Sequence, residues 1–153
     1  MKIVLLGKNG QVGWELQRAL APLGELVALD RSSAEVAGQV ICGDLNHLDD
    51  LRASLLALRP DVIVNAAAYT AVDKAESDVD TARRINAQAP GVMAEVAASL
   101  GATLVHYSSD YVFDGSGDTP RADDAATGPL SVYGATKLDG ELAILASGCR
   151  HLI

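Results

Sequence analysis

Short apolar runs alternate with helical segments along the chain, and this alternation constrains the fold more than any other feature of the sequence. The runs consist mostly of apolar residues and lie at 3–6, 25–29, 39–42, 61–65 and 102–107. Helical spacing, with apolar residues three or four positions apart, is found at 11–21, 46–58, 77–100 and 131–147. Strands that are apolar throughout are buried on both faces, which is typical of parallel sheets covered by helices. The sequence therefore predicts an α/β fold with a doubly wound, Rossmann-like parallel sheet.

The segments between these elements carry further expectations. Residues 31–38 and 114–128 are rich in polar and turn-forming residues, and we expect both to be surface loops, the second mobile and long enough to suggest a function. Pro90 lacks an N–H for the carbonyl of Asn86, so we expect a kink within 77–100, or two helices end to end. Residues 149–153 look like the beginning of another apolar strand, and we expect the chain to be part of a longer protein.

Composition limits the classes of partner. The chain has 153 residues, with 12 Lys and Arg against 20 Asp and Glu, and a formal charge of −8. One domain fits this length, and the acidic balance disfavours nucleic acids and anionic membranes as partners. Cys42 and Cys149 are far apart and form no CxxC pattern, which favours a reduced, cytoplasmic protein without structural zinc.

A glycine-rich loop follows the first predicted strand. Gly7, Gly10 and Gly13 form a GxxGxxG pattern between a strand and a helix. In such loops the first glycine permits a tight turn, the second lets a pyrophosphate approach the backbone, and the third allows close packing of helix and strand. The N–H groups at the helix N-terminus then face the phosphates. This pattern predicts a dinucleotide site.

Acidic residues follow the next two predicted strands. Asp30 lies about 20 residues beyond the loop, where a carboxylate binds the ribose hydroxyls of adenosine. Arg31 follows it and can pair with a 2′-phosphate, so the sequence leaves both NADH and NADPH open. Asp44 occupies a place where an acid meets the adenine amino group, although an acidic residue before a helix is an equally good interpretation.

A Tyr-x-x-x-Lys pattern begins the last predicted helix. Tyr133 and Lys137 are four residues apart, which places them on one helix face. An ammonium near a phenol favours the phenolate, and a tyrosine in that setting can give a proton to a developing alkoxide. Ser108 and Ser109 end the fifth strand, where a hydroxyl can stabilise charge on a carbonyl oxygen as hydride arrives. By contrast, His106 is expected to be packed in the interior rather than catalytic.

Four blocks of sequence carry a resemblance to a known family. GKNGQVG, NAAAYTAVDKAE, SSDYVFDG and VYGATKLDGE together resemble the dTDP-4-dehydrorhamnose reductase family of the extended short-chain dehydrogenase/reductase superfamily. The resemblance implies catalytic roles for Ser109, Tyr133 and Lys137, with Ser109 at a position where many members have Thr. It implies that the cofactor contacts are Gly7, Asn9, Gly10, Gln11, Val12, Gly13, Asp30, Arg31, Asp44, Leu45, Ala66, Ala67, Thr70, Tyr133 and Lys137. It implies that the sugar side is formed by Val72, Asp73, Ser109 and Tyr111.

The same resemblance implies an activity and its requirements. The reaction is reduction of the C4 ketone of dTDP-4-dehydro-L-rhamnose with NADPH or NADH, and the partner is the dTDP-sugar, with a homodimer left open. Residues 1–153 correspond to the NAD(P)-binding Rossmann domain. The substrate domain and the family's magnesium site lie beyond Ile153, so the chain alone is expected to be inactive.

Two alternatives stay open from the sequence. One is another nucleotide-sugar epimerase or dehydratase of the same superfamily, although Tyr111 stands after Asp110 where a dehydratase has a second acid. The other is a non-catalytic regulatory subunit on the same fold, which the intact Tyr133 and Lys137 pair disfavours. A turnover assay distinguishes these alternatives.

Overall fold

The computed structural model describes residues 1–122 and 124–153, and it contains a five-stranded, fully parallel sheet. In chain order, the strands are β1 (Lys2–Leu6), β2 (Glu25–Leu29), β3 (Ala34–Val36), β4 (Gln39–Ile41), β5 (Val62–Asn65), β6 (Thr103–His106) and β7 (Arg150–Leu152). The α-helices are α1 (Gln11–Leu20), α2 (Leu48–Leu58), α3 (Val72–Ala75), α4 (Val79–Arg83), α5 (Ala89–Leu100) and α6 (Val132–Ser147). Short 3₁₀ turns span Ala21–Leu23 and Asp110–Val112.

The strand order of the main sheet is β2-β1-β5-β6-β7. The chain therefore leaves β1 toward one edge to form β2 and later returns to the other side of β1 to form β5. This reversal is the topological switch point at which doubly wound sheets open a crevice for ligands. The predicted doubly wound α/β fold is confirmed.

Helices cover both faces of the sheet. Alternate side chains of a strand point to opposite faces, so Val4 and Leu6 pack in the larger core, whose helical members come from α2, α5 and α6. Ile3 and Leu5 pack on the other face together with Leu16 and other residues of α1. These four of the five β1 side chains are at most 1% exposed. Burial on both sides is the physical reason for the uninterrupted apolar run that predicted this strand.

One prediction was wrong between β2 and α2. The segment 31–38 was expected to be a loop, but Ala34–Val36 forms a strand that pairs antiparallel with Gln39–Ile41. The pair makes a separate two-stranded sheet rather than extending the main one. Ala37 and Gly38 have positive φ, as a two-residue hairpin turn requires, so this local turn competes successfully with addition of a strand beside β2.

The predicted helix over 77–100 is irregular, as expected around Pro90. Helices α4 and α5 are joined by a π-helical turn, Arg84–Gln88, in which the N–H of Ala89 donates to the carbonyl of Arg84. Pro90 stands in the first turn of α5, where a missing N–H is tolerated. The short helix α3 was not predicted.

The remaining segments also bear on the expectations. The predicted loop 114–128 includes residue 123, which lies outside the described residues. Within the rest of it, the guanidinium of Arg121 donates to Asp114 at 2.6 Å and lies over the Phe113 ring, 5.1 Å from its centroid. In the part of the chain that the structure describes, no helix is both long and apolar enough to cross a membrane.

Candidate active site at the carboxyl edge of the sheet

The last residues of four strands lie side by side at one edge of the sheet. Leu6 is the register partner of both Leu29 and Asn65, and Asn65 is the partner of His106. The segments that follow β1, β2 and β5, together with residues 43–45, enclose an open cleft of about 680 Å³. Its lining includes ten of the predicted cofactor contacts, namely Gly7, Asn9, Gly10, Asp30, Arg31, Asp44, Leu45, Ala66, Ala67 and Thr70. The loops thus assemble in space a set of residues that is dispersed over more than 60 positions of sequence.

The three glycines of the loop are required for different reasons. A Cβ on Gly13 would lie 2.0 Å from the carbonyl oxygen of Gly7, and a Cβ on Gly7 would lie 2.8 Å from the backbone N of Ala67. Gly7 also has a φ of +92°, which side chains rarely adopt. Gly10 differs, because its backbone is extended and the nearest atom to an added Cβ is 3.5 Å away. The fold requires Gly7 and Gly13, whereas Gly10 leaves space that faces the cleft.

Helix α1 begins at this loop without a side-chain cap. Its N-cap is Gly10, no described side chain caps it, and no acidic residue stands in its first turn. The first-turn N–H groups of Gln11, Val12 and Gly13 therefore keep the donor capacity that an α-helix N-terminus offers to an anion. These three residues form both the end of the loop and the first turn of α1, and Gly13 is buried against Gly7.

The carboxylate of Asp30 lies beside the glycine-rich loop. It accepts hydrogen bonds from the Asn9 amide at 2.7 Å and the Ser32 N–H at 2.8 Å, and Lys8 Nζ is 3.5 Å away. The Ser32 N–H is the largest cause of a lowered pKa for Asp30, with Asn9 and Lys8 contributing and burial opposing. Asp30 is thus held ionised at the position predicted to meet the adenosine ribose.

Asp44 is held differently, by a local turn before α2. Its Oδ1 accepts the backbone N–H of Asn46 at 2.9 Å, and its Oδ2 is 3.9 Å from His47 Nε2. The two interpretations of Asp44 are therefore compatible, since it lines the cleft and also organises the start of the helix.

Lys137 is nearly fully buried, although it carries a titratable amine. Its Nζ donates to the carbonyl oxygen of Tyr107 at 2.6 Å and lies 3.3 Å from His106 Nε2. The contact predicted from the sequence was with the phenol of Tyr133, which lies one turn earlier on the same helix; no hydrogen bond between these two groups occurs among the described residues. Burial lowers the pKa of Lys137 to about 8, against an opposing effect of the Glu141 carboxylate.

His106 and Asn65 form the other side of this buried cluster. The Asn65 amide nitrogen lies 3.0 Å from His106 Nδ1, and its amide oxygen accepts the N–H of Ala67 at 3.1 Å. Asn65 is 0% exposed, His106 3% and Lys137 1%. Burial, and then the charge of Lys137, lower the pKa of His106 to about 3. The expectation that His106 is packed in the interior agrees with its burial, but both ring nitrogens are also in polar contact.

The two serines after β6 have separate partners. The Ser108 hydroxyl donates to the Glu141 carboxylate, one turn beyond Lys137 on α6. The Ser109 hydroxyl accepts the N–H of Tyr111 at 3.2 Å and so caps the 3₁₀ turn Asp110–Val112.

Tyr111 and Tyr133 stack edge to face. Their ring centroids are 5.4 Å apart, with an interplanar angle of 82°. A Cβ on Gly134 would lie 2.2 Å from the carbonyl oxygen of Tyr111, so the small residue after Tyr133 allows the 3₁₀ turn to approach α6. Tyr133 is partly exposed and Tyr111 is exposed, which leaves both rings accessible from solvent.

The segment predicted for the sugar side is tied to the same helix. Val72 and Asp73 lie on α3, and the Glu76 carboxylate that follows it accepts the N–H of Val132 at 2.8 Å. Glu76 thus caps the start of α6. No group of three or more His, Cys, Asp or Glu within residues 1–122 and 124–153 is arranged to hold a metal ion.

The sequence analysis missed the buried amides of Asn65 and Asn86. Asn86, in the π-helical turn, accepts the N–H of Tyr69 at 2.8 Å and donates to Thr136 Oγ1 at 3.2 Å. It thereby joins the cleft wall to the helix that carries Lys137. The available signal was an amide residue at the end of an apolar run, and another four residues before a helix proline, since a buried amide must find partners.

Comparison with known proteins agrees with this architecture. The chain is 53% identical over its full length to a dTDP-4-dehydrorhamnose reductase of Shigella flexneri, and it spans 50% of that relative's length. It resembles the crystal structure of a dTDP-4-dehydrorhamnose reductase from Clostridium acetobutylicum with a TM-score of 0.86 and 37% identity, covering 99% of this chain and 51% of the other.

A second solved structure, a dTDP-4-dehydrorhamnose reductase from Bacillus anthracis in complex with NADP, matches with a TM-score of 0.83 and 31% identity. That match covers 98% of this chain and 50% of the other. The chain therefore spans about half the length of the relatives it matches. Residues 1–153 match a single protein family from end to end, and the chain belongs to the family described as the RmlD substrate binding domain.

Proposed function

We propose that this chain is the dinucleotide-binding portion of a reductase that converts dTDP-4-dehydro-L-rhamnose to dTDP-L-rhamnose with NADPH or NADH. The observation that carries the proposal is spatial. The glycine-rich loop, Asp30 and the helix bearing Tyr133 and Lys137 all meet the carboxyl edge of one parallel sheet. Relatives named dTDP-4-dehydrorhamnose reductase are 52–53% identical to the chain over the aligned residues, which make up 50% of their length.

The residues present fit a bound dinucleotide. Gly10 leaves open the space that a Cβ would fill, although the fold itself would accept a side chain there. The uncapped N–H groups of α1 supply donors for a pyrophosphate, and Asp30 supplies an acceptor for ribose hydroxyls. When bound, the nicotinamide supplies hydride to the ketone carbon of the sugar.

The chain's own side chains would handle the oxygen of that ketone. The Tyr133 hydroxyl gives its proton to the oxygen as the carbonyl becomes an alkoxide, and this leaves a phenolate. The Lys137 ammonium favours the phenolate and can return a proton to it. The hydroxyl of Ser109 donates a hydrogen bond to the same oxygen and stabilises its developing charge. Val72, Asp73 and Tyr111 would contact the sugar.

The proposal also concerns organisation. Residues 1–153 would form one NAD(P)-binding domain, and a substrate domain in the remaining half of the protein would hold the sugar against the nicotinamide. Placement of reacting groups to within a fraction of an ångström is needed for such chemistry, so the 153-residue chain alone should not turn over substrate. A cytoplasmic location and a homodimer stay predictions.

Substitution of Tyr133 in the full-length protein tests the function. Tyr133→Phe keeps the ring against Tyr111 but removes the proton, so kcat for dTDP-4-dehydro-L-rhamnose should fall by about 10²–10⁴-fold with little change in KM. The matched variant Tyr111→Phe also removes one hydroxyl from the stacked pair and should cost less than about tenfold. Normal turnover by Tyr133→Phe would remove Tyr133 from the mechanism, and no turnover by the unaltered protein would refute the assigned reaction.

A further inference from the structure

A chain of hydrogen bonds runs from the wall of the cleft to the buried amine. The Ala67 N–H donates to Asn65 Oδ1 at 3.1 Å, which fixes the orientation of the Asn65 amide. The other end of that amide, Nδ2, is a donor, and it faces His106 Nδ1 at 3.0 Å. A donor facing Nδ1 requires that this nitrogen carry a lone pair, so the neutral ring must carry its proton on Nε2.

The Nε2–H of His106 then points toward Lys137 Nζ, which is 3.3 Å away. An ammonium has no lone pair and cannot accept this hydrogen bond, whereas an uncharged amine can. The remaining N–H groups of the amine still serve the Tyr107 carbonyl oxygen at 2.6 Å. The orientation of one backbone N–H is therefore transmitted through two side chains to the amine on α6.

We propose that Asn65 and His106 are positioning residues for Lys137, which present a hydrogen-bond donor to its amine and so favour its uncharged form. This inference rests on the proposed function, in which Lys137 returns a proton to the Tyr133 phenolate. An amine that releases its proton readily re-protonates the Tyr133 phenolate more easily than an ordinary lysine.

The surrounding charges agree with this assignment. From β6, His106 faces the amine as a neutral ring, since its pKa is lowered to about 3 with burial as the largest cause. From α6 itself, Glu141 raises the pKa of Lys137, but its carboxylate is engaged by the Ser108 hydroxyl. Asn65, from β5, is uncharged. The net result is a Lys137 pKa lowered to about 8, with burial as the largest cause.

The first experiment observes the tautomer directly. In full-length protein labelled with ¹⁵N-histidine, long-range ¹H–¹⁵N correlation spectra distinguish the two neutral tautomers, and His106→Gln identifies the His106 signal by its loss. We expect the Nε2–H tautomer at pH 7, unchanged down to about pH 5. An Nδ1–H tautomer, or a charged ring at pH 7, would overturn the proposal without any measurement of activity.

The second experiment reverses the direction of the hydrogen bonds that link Asn65, His106 and Lys137. In Asn65→Asp the carboxylate can only accept, so it takes the Ala67 N–H and an Nδ1–H from His106, and the lone pair on Nε2 then accepts from the Lys137 ammonium. We expect the tautomer to switch, and the acid dissociation constant of Lys137, followed by its ¹³Cε shift, to fall by at least about tenfold. The pH dependence of kcat should move with it.

Matched variants separate this effect from simple charge. Asn86→Asp places a carboxylate at another buried amide that contacts α6 through Thr136, and it should leave the His106 tautomer unchanged. His106→Gln can accept from Asn65 and donate to Lys137, so Lys137 should titrate within about threefold of its ordinary dissociation constant in this protein. In a His106→Leu background, Asn65→Asp should lose most of its effect on Lys137.

The outcomes are decisive in either direction. An equal effect of Asn65→Asp with and without the imidazole would show that charge alone acts on Lys137, and would refute the relay. If Asn65→Asp does not fold, the wild-type tautomer and the His106→Gln titration still decide. Failure of Tyr133→Phe to slow turnover would refute the proposed function while leaving these spectra as predicted, so the two failures are distinguishable.

Discussion

The glycine-rich loop and the buried cluster beside α6 prepare for chemistry in opposite ways. At the glycine-rich loop, the site is formed by backbone groups. Gly10 leaves open the space that a side chain would fill, and no described side chain caps α1. At α6, the site consists of charged and polar side chains packed in the interior, with Lys137 against His106 and Asn65. The loop offers donors to a ligand, whereas the buried cluster has donors and acceptors already paired within the protein.

This difference has an energetic side. Glycines cost stability because they lose the most backbone freedom on folding, and that cost is independent of pH. A buried amine and a buried imidazole cost stability through desolvation of their charged forms, and that cost changes with pH. Mutations at the loop should therefore affect binding or folding to the same extent at every pH. Mutations at the buried cluster should instead change how stability and turnover depend on pH.

The largest expected effect separates two glycines of the same loop. Gly10→Val should weaken NADPH binding by about a thousandfold, on the order of 4 kcal/mol, because its side chain fills the space needed by the pyrophosphate. Its backbone is extended, and an added Cβ meets nothing closer than 3.5 Å, so the free energy of unfolding should change by less than about 1 kcal/mol.

Gly13→Val is the matched comparison. Its Cβ would lie 2.0 Å from the Gly7 carbonyl oxygen, so this variant should lose stability rather than binding alone. Calorimetry for NADPH affinity and urea denaturation for stability, both on the full-length protein, measure the two effects. Unchanged affinity in Gly10→Val would sink the assignment of the loop, and equal stability losses in both variants would remove the distinction between the glycines.

The loop was predictable because its signals are local. Gly7, Gly10 and Gly13 lie within seven positions of one another, and the strand before and the helix after them have clear periodicity. The position of Asp30 was predictable too, because only one helix and one strand separate it from the loop. The fold class was predictable for a similar reason, since continuous apolar runs need burial on both faces wherever they occur.

The buried cluster was less predictable because its partners are set by register between distant strands. The sequence placed Tyr133 and Lys137 on one helix face, but the structure turns the Lys137 amine toward His106 and Tyr107. That choice depends on Asn65 and His106 being aligned in neighbouring strands, 41 positions apart. The hairpin at 34–41 was missed for another reason, because a two-residue turn is decided by Ala37 and Gly38 with no motif to mark it.

An intermediate effect should appear in the acid stability of the buried cluster. The folded pKa of His106 is lowered to about 3 from an ordinary value of 6.5, so the unfolded chain binds a proton that the folded chain refuses between these values. Stability is therefore lost as pH falls through this window. Between pH 7 and pH 4.5, His106 alone should contribute a loss of about 2–3 kcal/mol.

His106→Gln removes the titrating group. Between pH 7 and pH 4.5, the unfolding free energy of this variant should therefore fall by about 2–3 kcal/mol less than that of the wild type. Urea denaturation of the two full-length proteins at pH 7 and pH 4.5 measures the difference. His47→Gln is the control, because His47 is an exposed residue before α2 and should leave the pH dependence nearly as it is. Identical pH dependence in wild type and His106→Gln would mean that the ring is not held neutral by burial.

The smallest expected effect lies at the adenosine end, where two exposed or half-buried charges compete for one ribose. Asp30 favours the two hydroxyls of NADH and Arg31 can pair with the 2′-phosphate of NADPH, and both line the cleft. The full-length protein should use both cofactors, with a preference in kcat/KM below about a hundredfold, on the order of 3 kcal/mol.

Variants of the two charged residues test this balance. Asp30→Ala should shift the ratio of kcat/KM values toward NADPH by about tenfold, and Arg31→Ala should shift it toward NADH by about tenfold. Arg18→Ala, on the exposed face of α1 and paired with Glu15, should leave the ratio unchanged. A preference above a hundredfold, or an Arg31→Ala variant with an unaltered ratio, would show that one of these two side chains does not face the ribose. Because neither charge is buried, these shifts should also weaken with added salt, whereas the effects at Lys137 and His106 should persist.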